Sequence, residues 1–191
     1  MKNLLFSVLI LILTSISLAE PGAVLDFAKA NNKTMFKATG RPAMIKINGE
    51  DQGPSGQIKL NDGELNGTLT LNLDGLTTKI DLRDEHMKNK YLEIAKYPDA
   101  QIIFKKTKSG FKLTDAENKS QNLVMTAEFQ LRGKTLPIQL TADLTKKLNS
   151  VTGQARFTIK ASDYLDTLPS YAGIKVADEV EVIVDVNCAI K

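Results

Sequence analysis

The feature that most constrains this chain is an alternation of period two that recurs from the middle of the sequence to its end. Leu65, Gly67, Leu69, Leu71 and Leu73 share one parity, while Asn66, Thr68, Thr70, Asn72 and Asp74 take the other. Ala100, Ile102 and Phe104 form a shorter run. Leu123, Met125, Ala127, Phe129 and Leu131 repeat the pattern, followed by Leu136, Ile138, Leu140, Ala142 and Leu144. Ala155, Phe157, Ile159 and Ala161 come next, then Val180, Val182, Val184 and Val186. Successive side chains of a strand point to opposite faces, so each run packs one face and wets the other. Many such strands in series favour an antiparallel sheet closed into a barrel or folded into a sandwich.

The punctuation agrees. Arg132-Gly133-Lys134 joins two of the longest runs and predicts a hairpin, with Lys134 facing solvent. Asn61-Asp62-Gly63 and Asn149-Ser150 read as turns, and DQGPS at residues 51–55 as a polar turn. Pro137 has no N–H and belongs at an edge or a bulge. Earlier strands are expected over residues 23–29, 34–38 and 43–47.

Residues 1–19 read as a secretory signal peptide. Lys2 supplies the charge, residues 4–13 are apolar except for Ser7, and Ser17 and Ala19 sit at −3 and −1 of a cleavage site before Glu20. This apolar core is too short to span a bilayer, and no second hydrophobic run exists. The expectation is one domain over residues 20–191, periplasmic or secreted, with no stable membrane span. Removing Lys2 from 25 basic side chains leaves 24 against 22 acidic. That balance, with no Trp and no arginine-rich run, argues against a nucleic-acid partner. Cys188 is the only cysteine, so an intrachain disulfide is impossible. A buried free thiol is the plainer reading; an intermolecular disulfide or reactive thiol stays open.

Two segments break the alternation. In LRDEHMKNKYLEIAKYP, residues 82–98, Met87, Tyr91, Ile94 and Ala95 form a helical stripe. A helix over residues 83–96 is expected, with Asp81 as its N-cap, Asp84 and Glu85 on the positive dipole end, and Pro98 blocking its continuation. The other segment, residues 162–175, is irregular, with Pro169 and Gly173 as breakers. A loop of this length suits the crossing of a barrel mouth.

Arg83 and His86 are the sharpest candidates for a site, because residues at i and i+3 share a helical face. Two readings stand. They satisfy backbone carbonyls and acids and pin the helix across the barrel, or they meet the polar head of a ligand. One histidine cannot build a multi-histidine metal centre, and neither HExxH nor Gly-x-Ser-x-Gly occurs, so neither a metal, a cofactor nor catalysis is expected. Tyr91, Tyr97, Tyr164 and Tyr171 either cap a cavity with their ring faces or pack its rim. Phe104, Phe129 and Phe157 are inward by parity, touching protein or ligand, and Met125 suits an irregular guest.

The chain resembles the YceI-like family of exported, lipocalin-like proteins. The resemblance is carried by Arg83, Asp84, His86, Leu92, Tyr97, Pro98 and Phe104, then by Leu131, Gly133, Lys134, Thr135 and Pro137, then by residues 157–164 and the run 176–184 with Asp178. The family's early Asp-His-Ser is absent, since Phe27 follows Asp26. The resemblance implies an all-β, eight-stranded antiparallel lipocalin-like barrel with a short helix after a central strand. It also implies an apolar interior that binds polyisoprenoid or quinone-like lipids. The expected role is a binding or carrier protein, with a homodimer left open. The alternative is a barrel filled by its own side chains, acting as an interaction protein with a redox or stress-related partner.

Overall fold

The structure, a computed structural model, describes residues 22–28, 31–42, 45–113, 117–171 and 173–191. The expected export segment lies outside the described residues. The described strands are β1 (Ala23–Phe27), β2 (Lys33–Arg41), β3 (Ile45–Gln52), β4 (Ser55–Asn61), β5 (Glu64–Asn72), β6 (Asp99–Lys108), β7 (Glu117–Leu131), β8 (Lys134–Lys147), β9 (Ser150–Lys160), β10 (Ser170–Tyr171) and β11 (Ile174–Ile190). Between β5 and β6, α1 (Asp81–Glu85) continues into a π-helical stretch, His86–Leu92. After β9 comes the single turn α2 (Ala161–Tyr164).

Closure comes from two broken staves. Both β1 and β2 run antiparallel to β11, with Leu25 opposite Ile190 and Lys33 opposite Asp185. Likewise β4 pairs β1 and β3 pairs β2. Thus β1–β2 form one long stave and β3–β4 another. With β5, β6, β7, β8, β9 and β11 they make eight, and the β4–β5 pairing closes an antiparallel barrel. Closure removes the sheet edges that would otherwise template association. Asp62 and Gly63 (φ 47° and 75°) and Arg132 and Gly133 (φ 50° and 74°) make the left-handed hairpin turns whose twist matches the flanking strands. Pro137 lies where β8 pairs β7 alone, because the β8–β9 register starts at Thr141, so its missing N–H costs no ladder bond there.

The DQGPS segment, expected as a polar turn, is a break between β3 and β4 within one stave, with Gly53 and Pro54 buried. Gly53 N donates to Asn32 O at 2.7 Å, and a Cβ at Gly53 would lie only 2.1 Å from the Asn32 Cβ. Asn32 also donates to Ala28 O (2.8 Å) and accepts from Asn187 N (2.6 Å), stapling the bends of both broken staves to β11. Composition marked a bend there but carried no sign of the neighbouring strand that covers it.

The alternation fills the interior unequally. Towards the β4–β5 turn the barrel is solid. Leu25, Phe27, Ile58, Leu60, Phe104, Met125, Leu140, Val151 and Cys188 all lie within one buried cluster. Ser109 bonds Gly63 O through both N and Oγ, and the chain then carries Phe111, only 2% exposed, into the core at this end. Beyond the level of Thr34 and Val184, cross-strand partners on β2 and β11, the same inward rows leave space.

Candidate functional site

That space is a cavity of about 290 Å³. Its walls come from the upper parts of β2, β3, β5, β6, β7, β9 and β11, through residues such as Phe36, Leu71, Ile102, Phe129, Phe157 and Val182. The lining is almost wholly apolar; its polar side chains are Thr34, Thr78, Arg83, His86, Tyr91, Gln101 and Ser170. The helical segment fills the gap where β3 and β5 separate. Thr77 bridges Glu50 on β3, and Met87, Tyr91 and Leu92 face the cavity.

This segment differs from its expected form at both ends. Helical structure covers residues 81–92, not 83–96, and Glu93 ends it in a left-handed conformation (φ 49°), five residues before Pro98. The reason is tertiary: Arg132, at the β7–β8 turn, draws the Glu93 carboxylate to its Nε at 2.7 Å. Asp81 provides no side-chain cap. Asp84 organises the start instead, accepting from Thr77 Oγ1 (2.6 Å), Thr78 N (2.7 Å) and Thr78 Oγ1. Burial opposes its charge, but these hydrogen bonds, with nearby Lys88, win and hold its carboxyl below the usual range. Arg83 donates from Nε to Thr78 Oγ1 (2.7 Å) and from a terminal nitrogen to Thr78 O (2.9 Å), fastening the helix to the strand-like segment before it. Glu50 accepts from Lys33 (2.6 Å) and Lys79 (2.9 Å), and these two lysines depress its pKa to about 2.

A second set of contacts closes the mouth. Residues 161–171 pass over it as α2, a loop and β10. The Tyr91 hydroxyl accepts from Ser170 N (3.0 Å) and donates to Ser170 O (3.2 Å). Arg132, with its side chain 12% exposed, pairs with Glu93 and with Asp166 (2.5 Å) and reaches Tyr164 O (3.5 Å). One guanidinium thus ties the helix end, the β7–β8 hairpin and the covering loop together. Tyr164, 2% exposed, stacks edge-on to Phe129 with ring centroids 5.7 Å apart, and Phe129 meets Phe157 in the same manner at 5.1 Å. Burial, with a smaller effect of Asp163, pushes the Tyr164 hydroxyl up to about 12.

Of the residues singled out from sequence, Arg83, His86, Tyr91, Phe129 and Phe157 line the cavity. Tyr164 lies behind Phe129 in the wall. Phe104 and Met125 belong to the solid half of the barrel, and Tyr97 packs by Gly133 at the hairpin. The backbone of Tyr171 pairs with Ile174. Arg132, Thr78 and Thr34 are not among the site residues that the sequence singles out, and Asp84, read there as a charged helix start, proves to organise that start through Thr77 and Thr78. Arg132 looked like a turn residue, and its acidic partners lie 39 and 34 positions away. Thr34 had a legible signal, a lone hydroxyl on the inward parity of β2 beside Phe36 and Ala38. Among the described residues no three His, Cys, Asp or Glu side chains converge as a metal site, and no helix is long and apolar enough to cross a membrane.

A closed antiparallel barrel, solid at one end and hollow and apolar at the other, defines a lipocalin-like protein with a hydrophobic cavity of the kind that holds ligands. A YceI-like domain matches residues 26–188, and the chain belongs to that family. Among solved structures it is similar to BcnA of Burkholderia cenocepacia, with 15% identity, a TM-score of 0.66, and 85% of this chain and 99% of that one covered. It is also similar to a polyisoprenoid-binding domain from Saccharophagus degradans implicated in plant cell wall breakdown, with 16% identity, a TM-score of 0.61, and coverage of 88% and 98%. A mutant of the Campylobacter jejuni YceI protein with a monobromobimane guest aligns at 20% identity and a TM-score of 0.58, with coverage of 78% and 86%. Comparison with curated proteins gives no match.

Proposed function

We propose that this protein binds and carries a long apolar amphiphile, polyisoprenoid or quinone-like, in the upper half of its barrel, and that it does so outside the cytoplasm. The apolar cavity of about 290 Å³ carries the reading. It lies at the lower edge of the roughly 300–1,000 Å³ common among ligand pockets. Its existence favours a binder over an interaction protein with a filled barrel. The S. degradans relative, described as polyisoprenoid-binding, supports the ligand class. The N-terminal export pattern supports the location.

The energetics suit a partly buried chain. Each isoprene unit carries five carbons, and at about 0.8 kcal/mol per buried CH₂-sized group its burial yields roughly 4 kcal/mol gross. Two or three buried units suffice for useful affinity after ordering costs, so the cavity need not enclose a whole ligand. Native mass spectrometry of gently purified protein, followed by lipid extraction, tests the proposal. The expected result is a co-purifying amphiphile or uptake of polyprenyl or quinone probes. Absence of both refutes it. Cell fractionation with N-terminal sequencing tests the location; the expected mature protein begins at Glu20 and lies outside the cytoplasm.

A further inference from the structure

Thr34 breaks the rule that buried polar groups are satisfied. It is 5% exposed and lines the cavity, and its Oγ1 has no hydrogen-bond partner among the described residues. Native structures seldom leave a buried hydroxyl unmatched, and one carried by a residue of an apolar cavity's lining points to a partner that enters it. The other polar groups of the lining that meet the helix and the covering loop are engaged. Thr78 serves Asp84 and Arg83, and Tyr91 serves Ser170. The position of Thr34 is informative. On β2 the lining residues are Thr34, Phe36 and Ala38, and on β11 they run from Val184 to Ile174. Thr34 pairs with Val184, whereas Gly40 pairs with Val176, so Thr34 marks the inner end of the cavity. The six steps along the strand from Gly40 to Thr34 span about 20 Å.

The surroundings also select the chemistry of the partner. Asp51 is the cross-strand partner of Thr34 on β3, so the two side chains share a sheet face. A carboxylate or phosphate brought to Thr34 would therefore approach an acid. The nearby cations are committed elsewhere, Lys33 and Lys79 to Glu50 and Arg83 to Thr78. A hydroxyl group both donates and accepts, and it matches an uncharged oxygen.

We infer that Thr34 is a polar anchor at the floor of the cavity, and that the ligand class is an amphiphile whose uncharged oxygen function, a hydroxyl or a carbonyl, enters the barrel and bonds Oγ1. The inference rests on the cavity being a ligand site and adds the orientation and head chemistry of the ligand. The test measures displacement of a fluorescent apolar probe by 1-hexadecanol and by hexadecane, with the wild-type protein, Thr34→Val and Thr34→Ser. Comparing variants for each ligand cancels the ligand's own solubility. Thr34→Val, nearly isosteric and β-branched, should weaken hexadecanol about three- to tenfold and leave hexadecane unchanged, as expected for one neutral hydrogen bond. Thr34→Ser should keep the wild-type preference. An unchanged hexadecanol affinity in Thr34→Val, or an equal loss for both ligands, overturns the anchor while the cavity reading stands. Failure of both ligands to displace the probe from the wild-type protein overturns the cavity reading and the anchor with it.

Discussion

Substitutions of one kind at two heights of the barrel should have opposite effects. Ala100 on β6 and Ala142 on β8 are 3% and 2% exposed and belong to the same buried cluster, but Ala100 lines the cavity and Ala142 does not. Replacing Ala100 with Leu adds three carbons to a wall that faces about 290 Å³ of space. At about 0.8 kcal/mol per carbon the added burial contributes up to about 2.4 kcal/mol, and loss of leucine rotamer freedom removes about 0.5–1. The expected net gain is about 1.5 kcal/mol. Placing the same leucine at Ala142 forces side chains off their rotamers and costs about 1–3 kcal/mol. For a domain of this size each kcal/mol moves Tm by about 2–4 °C. Thermal unfolding monitored by circular dichroism on ligand-stripped protein should therefore show Ala100→Leu several degrees above wild type and Ala142→Leu several degrees below. Ala100→Leu should also weaken uptake of apolar probes, because the leucine occupies their volume. A fall in Tm for Ala100→Leu equal to that for Ala142→Leu would mean that the upper half is packed solid, and the reasoning from cavity to carrier would fail.

Three further outcomes are expected. Replacing Arg132 with Met removes the contacts that join Glu93, Asp166 and Tyr164 O; amide hydrogen exchange over residues 161–171 should accelerate about tenfold and bound probe should leave faster, and unchanged exchange would show that the loop is held by other contacts. Burial pushes the Cys188 thiol up to about 12, so the folded barrel keeps its proton where the unfolded chain releases it; this contribution to stability is whole below about pH 9 and is lost as pH rises towards 12. Urea titrations between pH 8 and 11 should accordingly show a steeper alkaline loss for wild type than for Cys188→Ala, and parallel curves would refute the assignment. Thr34→Val should raise the stability of the ligand-free protein by about 1 kcal/mol, since it removes an unmatched buried hydroxyl, whereas a drop in its urea midpoint would show that Oγ1 is satisfied in solution.

Local chemistry alone determined a good deal of this molecule. The period-two rows at Leu65–Leu73, Leu123–Leu131 and Leu136–Leu144 dictated strands and chose their inner faces, because a strand has only two faces to choose from. The Asp62-Gly63 and Arg132-Gly133 pairs marked turns, because a left-handed backbone is tolerated by few residues. The stripe of Met87 and Tyr91 announced a helix that meets the core. What periodicity could not decide was volume. The inward rows near Phe104 and Phe129 look alike in sequence, yet one is packed solid and the other borders a cavity, since filling depends on how eight staves converge. Nor could it decide the long-range polar contacts. The Glu93–Arg132–Asp166 cluster, the Asn32 staple and the solitude of the Thr34 hydroxyl all join or isolate groups far apart in the chain, and only the closed barrel brings them to their neighbours.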